Sequence, residues 1–134
     1  MIVLDASVLA NAFTDDGPVG LAARAELARD VHWAAPEHLG VEVFSAIRGR
    51  WLGRKISEQR ARDALTALAS STVDLVPIGH LLERMWDLRN NVSGYDAAYI
   101  AVAETLDCAL VTADGRLGRV SGLRCEIRVA LPSA

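Results

Sequence analysis

Four carboxylates carry the chemistry open to this chain: Asp5, Glu42, Asp96 and Asp114. They lie far apart in sequence, yet each stands at the end or beginning of a regular element. Asp5 closes an apolar run at residues 1–4, and Asp114 follows the apolar stretch Ala109–Thr112. Asp96 falls in the first turn of a helix opened by Ser93-Gly94-Tyr95. Glu42 falls about five residues, or ~7 Å, into the helix that follows the second strand. Carboxylates that meet repel one another unless positive charge lies between them. A hard divalent cation supplies that charge; Mg²⁺ is held by one or two carboxylates, waters and substrate phosphate oxygens. Such a site suits hydrolysis of a phosphodiester, because the metal acidifies a bound water and offsets phosphate charge.

Each acid also has a plainer use. Asp5 could cap the helix that follows it. Asp96 completes Ser-x-x-Asp ahead of an apolar run, the pattern of a capping box. Asp114 in Thr-Ala-Asp-Gly could be a turn residue. Glu42 falls off the apolar stripe of Gly40, Val43, Phe44 and Ile47, and could face solvent. Two other chemistries fail on the residues after Asp5. A phosphatase with an Asp nucleophile wants a second Asp two residues on, where this chain has Ser7. A dinucleotide site wants a Gly-rich turn there, and Asp5-Ala6-Ser7-Val8 has none.

The elements that must position these acids follow from apolar spacing. Residues 1–4 read as a strand buried on both faces. A helix over residues 6–13 comes next. After a turn at Asp15-Asp16-Gly17, Pro18 opens a second helix with Leu21, Ala25 and Ala28 on one face. Residues 32–35 form a strand closed by Pro36, and a third helix spans residues 37–52. Ser57 caps a fourth helix whose Ala61, Ala64, Leu65 and Leu68 recur at helical spacing. Residues 73–78 read as an edge strand or extended link. A fifth helix carries Leu81, Leu82, Met85 and Leu88, and a sixth runs from Ser93 through Leu106. Ala109–Thr112 is a strand, Asp114-Gly115 a turn into a short helix, and residues 125–129 the last strand. Strands alternating with helices predict an α/β fold of three layers, a central parallel sheet flanked by helices. In such a sheet ligands bind at the carboxyl ends of the strands. Strand order alone therefore carries all four acids to one edge.

Composition sets the frame. The chain has 134 residues, 51% hydrophobic and 23% charged, with a formal net charge of −3. That predicts one folded domain over residues 1–134. No apolar run approaches the ~18–20 residues of a membrane span, and Asp5 inside the first apolar run argues against a signal peptide. Cys108 and Cys125 are too few for a disulfide scaffold. His32, His38 and His80 lack zinc-site spacing.

MIVLDAS at the start, VEVFSAIR at 41–48, SGYDAAYIAVAE at 93–104 and LVTADGRL at 110–117 resemble the four acidic motifs of the PIN domain, and in particular those of the VapC-type toxins of bacterial toxin–antitoxin pairs. The resemblance covers essentially the whole chain, in order. It implies a cytoplasmic endoribonuclease dependent on Mg²⁺ or Mn²⁺, hydrolysing RNA phosphodiester bonds as a toxin. It implies Asp5, Glu42, Asp96 and Asp114 as the acidic set, with Asp5 and Asp96 as the commonest metal ligands, and Thr112 as a hydroxyl beside the last acid. It also implies a homodimer and a cognate antitoxin that occludes the site. The alternative within the same fold is a PIN-type RNA-processing nuclease without an antitoxin.

A basic segment stands apart. Arg48, Arg50, Arg54, Lys55, Arg60 and Arg62 crowd residues 48–62 against Glu58 alone. Arg forks match phosphates, and Trp51 could stack on an unpaired base. The same residues also suit a solvated helix end, an antitoxin-docking face or a dimer face.

Overall fold

The computed structural model describes residues 1–132. Five strands, β1 (Ile2–Leu4), β2 (Trp33–Pro36), β3 (Val73–Val76), β4 (Ala109–Thr112) and β5 (Ile127–Val129), form one sheet in the order β3-β2-β1-β4-β5, with every pairing parallel. The centre of the sheet is its most apolar part: Ile2, Val3, Leu4, Leu110 and Val111 are fully buried. Continuous burial of this kind marks a strand covered on both faces.

Six helices cover the sheet: α1 (Ala6–Thr14), α2 (Pro18–Ala28), α3 (Leu39–Leu52), α4 (Glu58–Ser70), α5 (Leu82–Asp87) and α6 (Gly94–Leu106). The first of them packs against α2, α3 and α4; α6 lies against β1, β2 and β4 and carries α5. The predicted three-layer α/β architecture is the one observed. The edge strand also forms, as β3 beside β2. Pro18 stands at the start of α2, and Ser57 caps α4 by accepting the Arg60 N–H at 3.0 Å.

Three predicted faces differ. Leu21, Ala25 and Ala28 do not form the buried side of α2; Gly20, Ala23 and Leu27 do. The reason is local. Gly20 is drawn onto the end of α1, where its N–H donates to Asp15 Oδ2 at 2.7 Å, and a Cβ there would lie 1.8 Å from the Asp15 carbonyl oxygen. That contact turns Leu21 outward. In α3 the buried stripe is Leu39, Val43 and Ile47, leaving Gly40 and Phe44 exposed. On the α5 side Leu81 and Leu88 are buried, whereas Leu82 is exposed because a 3₁₀ turn at Gly79–Leu81 shifts the helical phase. Boundaries move as well: Pro36 pairs with Val76 within β2, α3 begins at Leu39, β3 ends at Val76 and β5 starts at Ile127.

Candidate active site

Asp5 passes the chain from β1 into α1 with an extended backbone, and its N–H donates to the Val111 carbonyl at 2.9 Å. Its carboxylate makes no capping bond. Instead Oδ2 accepts from Thr112 Oγ1 at 2.8 Å and from Ser7 Oγ at 2.9 Å. Both hydroxyls are themselves anchored. Ser7 Oγ accepts the Ala113 N–H at 3.1 Å, and Thr112 Oγ1 accepts the Asp114 N–H at 3.1 Å. Asp5 is only 8% exposed, so this carboxylate is held in one place across the β1–β4 junction. The capping role alone does not describe it.

Asp96 stands in the first turn of α6, where Ser93 Oγ caps the helix by accepting the Asp96 N–H at 3.1 Å. Burial pushes its carboxyl above the ordinary aspartate range, and the charge of Asp5 and, less, that of Asp114 add to this against opposing effects of Ser93 and Arg116. Glu42 lies in the first turn of α3, nearer the sheet edge than predicted, because the helix begins at Leu39. Its carboxyl is likewise raised by burial, opposed by Tyr99 and His38 and reinforced by Asp5 and Asp96. Glu42 is thus only partly solvated, its side chain 28% exposed and its Oε1 buried. Asp114 is the member of the set held by an arginine. Its Oδ1 accepts from the Arg116 N–H at 2.9 Å and from Arg116 Nε at 3.1 Å, and Oδ2 accepts from Nη2 at 2.8 Å. That guanidinium holds the Asp114 carboxyl below the usual range. All four predicted acids thus stand at the carboxyl edge of the sheet; Asp96 feels the charge of Asp5 and Asp114, and Glu42 that of Asp5 and Asp96.

The sequence reading missed three residues here. Ser7 fixes Asp5. His38 Nε2 lies 2.9 Å from Glu42 Oε1, and the His38 ring stands edge-on to Tyr99 with centroids 5.4 Å apart. His38 Nε2, Glu42 Oε1 and Tyr99 Oη are all buried, and none is aligned in a hydrogen bond. Buried polar atoms left in that state commonly have water or an ion as partner. A hydroxyl two residues after Asp5, and a Tyr set in the otherwise apolar run of α6, were the available signals.

Among the described residues, no three His, Cys, Asp or Glu side chains form a group that could hold a metal ion by themselves. The donor set nevertheless fits a hard cation. It offers carboxylate oxygens alone, and Mg²⁺ commonly takes one or two of these and fills its shell with water and phosphate oxygen. A cleft of about 380 Å³ opens beside Asp96 and Asp114, its other walls including Arg89, Asn91 and Arg116.

The basic segment lies elsewhere. Glu42 lies in the first turn of α3 and Leu52 ends the helix, ten residues or about 15 Å away. Part of the segment is structural: Arg50 donates to Asn11 Oδ1 and Thr14 Oγ1, and Arg60 to the Phe13 carbonyl and Asp16. Beside it runs an apolar groove between α3 and α4, lined by Phe44, Ile47, Trp51, Ala61 and Leu65 with Arg48 and Arg62 at its rim. Leu21 faces a different groove, against Val129 and Leu131.

Comparison with known proteins places this geometry. Residues 2–123 match the PIN domain family. Ribonuclease VapC1 of Mycobacterium tuberculosis is 39% identical over 128 residues, covering 95% of this chain and 96% of that protein. Ribonuclease VapC9 of the same organism is 37% identical over 129 residues, covering 96% and 98%. The crystal structure of M. tuberculosis VapC20, described as a sarcin–ricin loop cleaving toxin, superposes with a TM-score of 0.61 over 82% of this chain and 87% of that one. At 18% identity it supports the fold.

Proposed function

Because the chain belongs to the PIN domain family, among the VapC ribonucleases, we propose that it is a metal-dependent endoribonuclease that acts in the cytoplasm as the toxin of a toxin–antitoxin pair. The observation that supports this most is the buried Asp5, locked by Ser7 and Thr112, whose charge acts on both Glu42 and Asp96. Asp5 and Asp96, with Asp114 and Glu42 beside them, would hold Mg²⁺ or Mn²⁺. Bound there, the metal supplies an acidified water and charge neutralisation at the phosphate. The chain's own contribution is placement. Ser7 and Thr112 aim the Asp5 carboxylate, and Ser93 sets the first turn of α6 so that Asp96 faces the same edge. His38 and Tyr99 stand beside Glu42 and restrict where its carboxylate can point.

A cognate antitoxin fits the α3–α4 groove, whose exposed Phe44 and Trp51 leave an apolar surface uncovered. A homodimer belongs to the same reading, and sedimentation would measure it. The deciding experiment incubates purified protein with RNA in Mg²⁺ or Mn²⁺, with and without chelator. Cleavage should require the metal. Asp5→Asn and Asp96→Asn should each lower it by orders of magnitude while the fold persists. Full activity of both variants, or cleavage unaffected by chelator, would sink the assignment.

A further inference from the structure

The cleft beside Asp96 and Asp114 has a feature the acids do not explain: two arginines line it, Arg89 from the turn after α5 and Arg116 from the turn after β4. They differ in state. Arg89 is clamped over Trp86, its guanidinium carbon 4.5 Å from the ring centroid and its Nη1 donating to the Trp86 carbonyl at 2.9 Å. Among the described residues it makes no ion pair, so its remaining N–H groups are free. Arg116 grips both oxygens of Asp114 through its fork while its side chain stays 83% exposed.

Resting on the nuclease reading above, we infer that Arg89 and Arg116 bind the RNA phosphates that flank the scissile bond, and that Arg116 is parked on Asp114 until RNA draws it away. A cleft walled by carboxylates in a chain of net charge −3 repels a polyanion unless cations are set into its walls. Arg89 and Arg116 are the basic residues lining this cleft; the Arg-rich segment begins toward the other end of α3. A guanidinium fork matches phosphate bidentately. Arg89 loses little freedom on binding, because Trp86 already fixes it. Arg116 is released at little cost, since an exposed ion pair is weak. Its departure frees the Asp114 oxygens for a cation, so substrate and metal favour each other's binding.

The test uses fluorescence anisotropy with a labelled short single-stranded RNA in EDTA, together with Mn²⁺ titration in the absence of RNA. Arg89→Ala and Arg116→Ala should each weaken RNA binding roughly 5–10-fold. Each should also lower the slope of log affinity against log salt by about one, as for one lost phosphate contact. Arg116→Ala should tighten Mn²⁺ binding, and Arg89→Ala should leave it unchanged. Both side chains are exposed, so melting temperatures serve as the folding check. Wild-type RNA binding that neither substitution alters, or Mn²⁺ affinity unmoved by Arg116→Ala, overturns the inference while leaving the nuclease reading intact. Failure of the wild type to bind or cleave RNA at all overturns the reading on which it rests.

Discussion

Thr112 joins two acids through a single hydroxyl, donating to Asp5 and accepting from the Asp114 N–H. Thr112→Val keeps the shape and removes both bonds. It should cost about 1–2 kcal/mol by denaturant unfolding, because an oxygen and an N–H in a buried place lose their partners. Metal affinity should fall with it, and Thr112→Ser should restore both. Asp96 behaves in the opposite sense. Burial and Asp5 raise its carboxyl in the folded state, so the folded protein binds that proton more tightly than the unfolded chain does. Its contribution to stability is therefore full at low pH and lost as pH rises through the raised value. Asp96→Asn should accordingly melt a few degrees higher than wild type at pH 7 in EDTA. The gap should close once the pH drops below the ordinary carboxylate range, and an equal melting point at every pH would refute the account. At this scale the four acids were legible because strand order alone carries them to one edge. Ser7 and His38 were less legible, because a hydroxyl two residues after an Asp and an imidazole four before a Glu are common spacings with many uses; Tyr99 reaches Glu42 from another element.

Among the elements, α5 and α6 are tied by one ion pair. Arg84 Nε and Nη2 donate to Glu104 Oε1 and Oε2 at 2.8 and 3.0 Å, and the Arg124 N–H adds a third bond at 2.7 Å. Burial alone would raise the Glu104 carboxyl, but Arg84 and Arg124 outweigh it and leave it below the ordinary range. Its stabilisation is present above the unfolded pKa and lost as pH falls through the lowered folded value. Glu104→Gln should cost about 2 kcal/mol at pH 7, as for bonds to a charged group, and much less in strong acid. Helix and strand order could be read from apolar spacing and punctuation, including Pro18 and the Ser57 and Ser93 caps. Faces were less legible. Leu21 and Leu82 carry the right residue type at the right spacing, yet a close approach at Gly20 and a 3₁₀ turn before α5 rotate them to solvent.

For the molecule as a whole, the acids lie at one end of α3 and the Arg-rich segment toward the other, so the two are not one continuous groove. The segment's compositional excess was plain, but its meaning depended on which arginines find internal acceptors, and Arg50 and Arg60 do. The surface it leaves open is the apolar groove rimmed by Arg48 and Arg62. Expression of this chain should slow growth, and co-expression of its antitoxin should restore it with a co-purifying complex. Phe44→Glu with Trp51→Glu should abolish co-purification while leaving RNA cleavage in vitro unchanged. Normal growth at high levels of active protein would favour the RNA-processing alternative. The order of the sheet adds a consequence in time. β1 sits between β2 and β4, and the hydroxyl that fixes Asp5 lies 107 residues later. A growing chain on the ribosome therefore carries its first acid long before it can build a cutting edge. Parallel pairing over such a separation is slow to form. On the proposed nuclease reading, the nascent protein would stay inactive through most of its own synthesis, because Asp5 lacks the Thr112 hydroxyl until then.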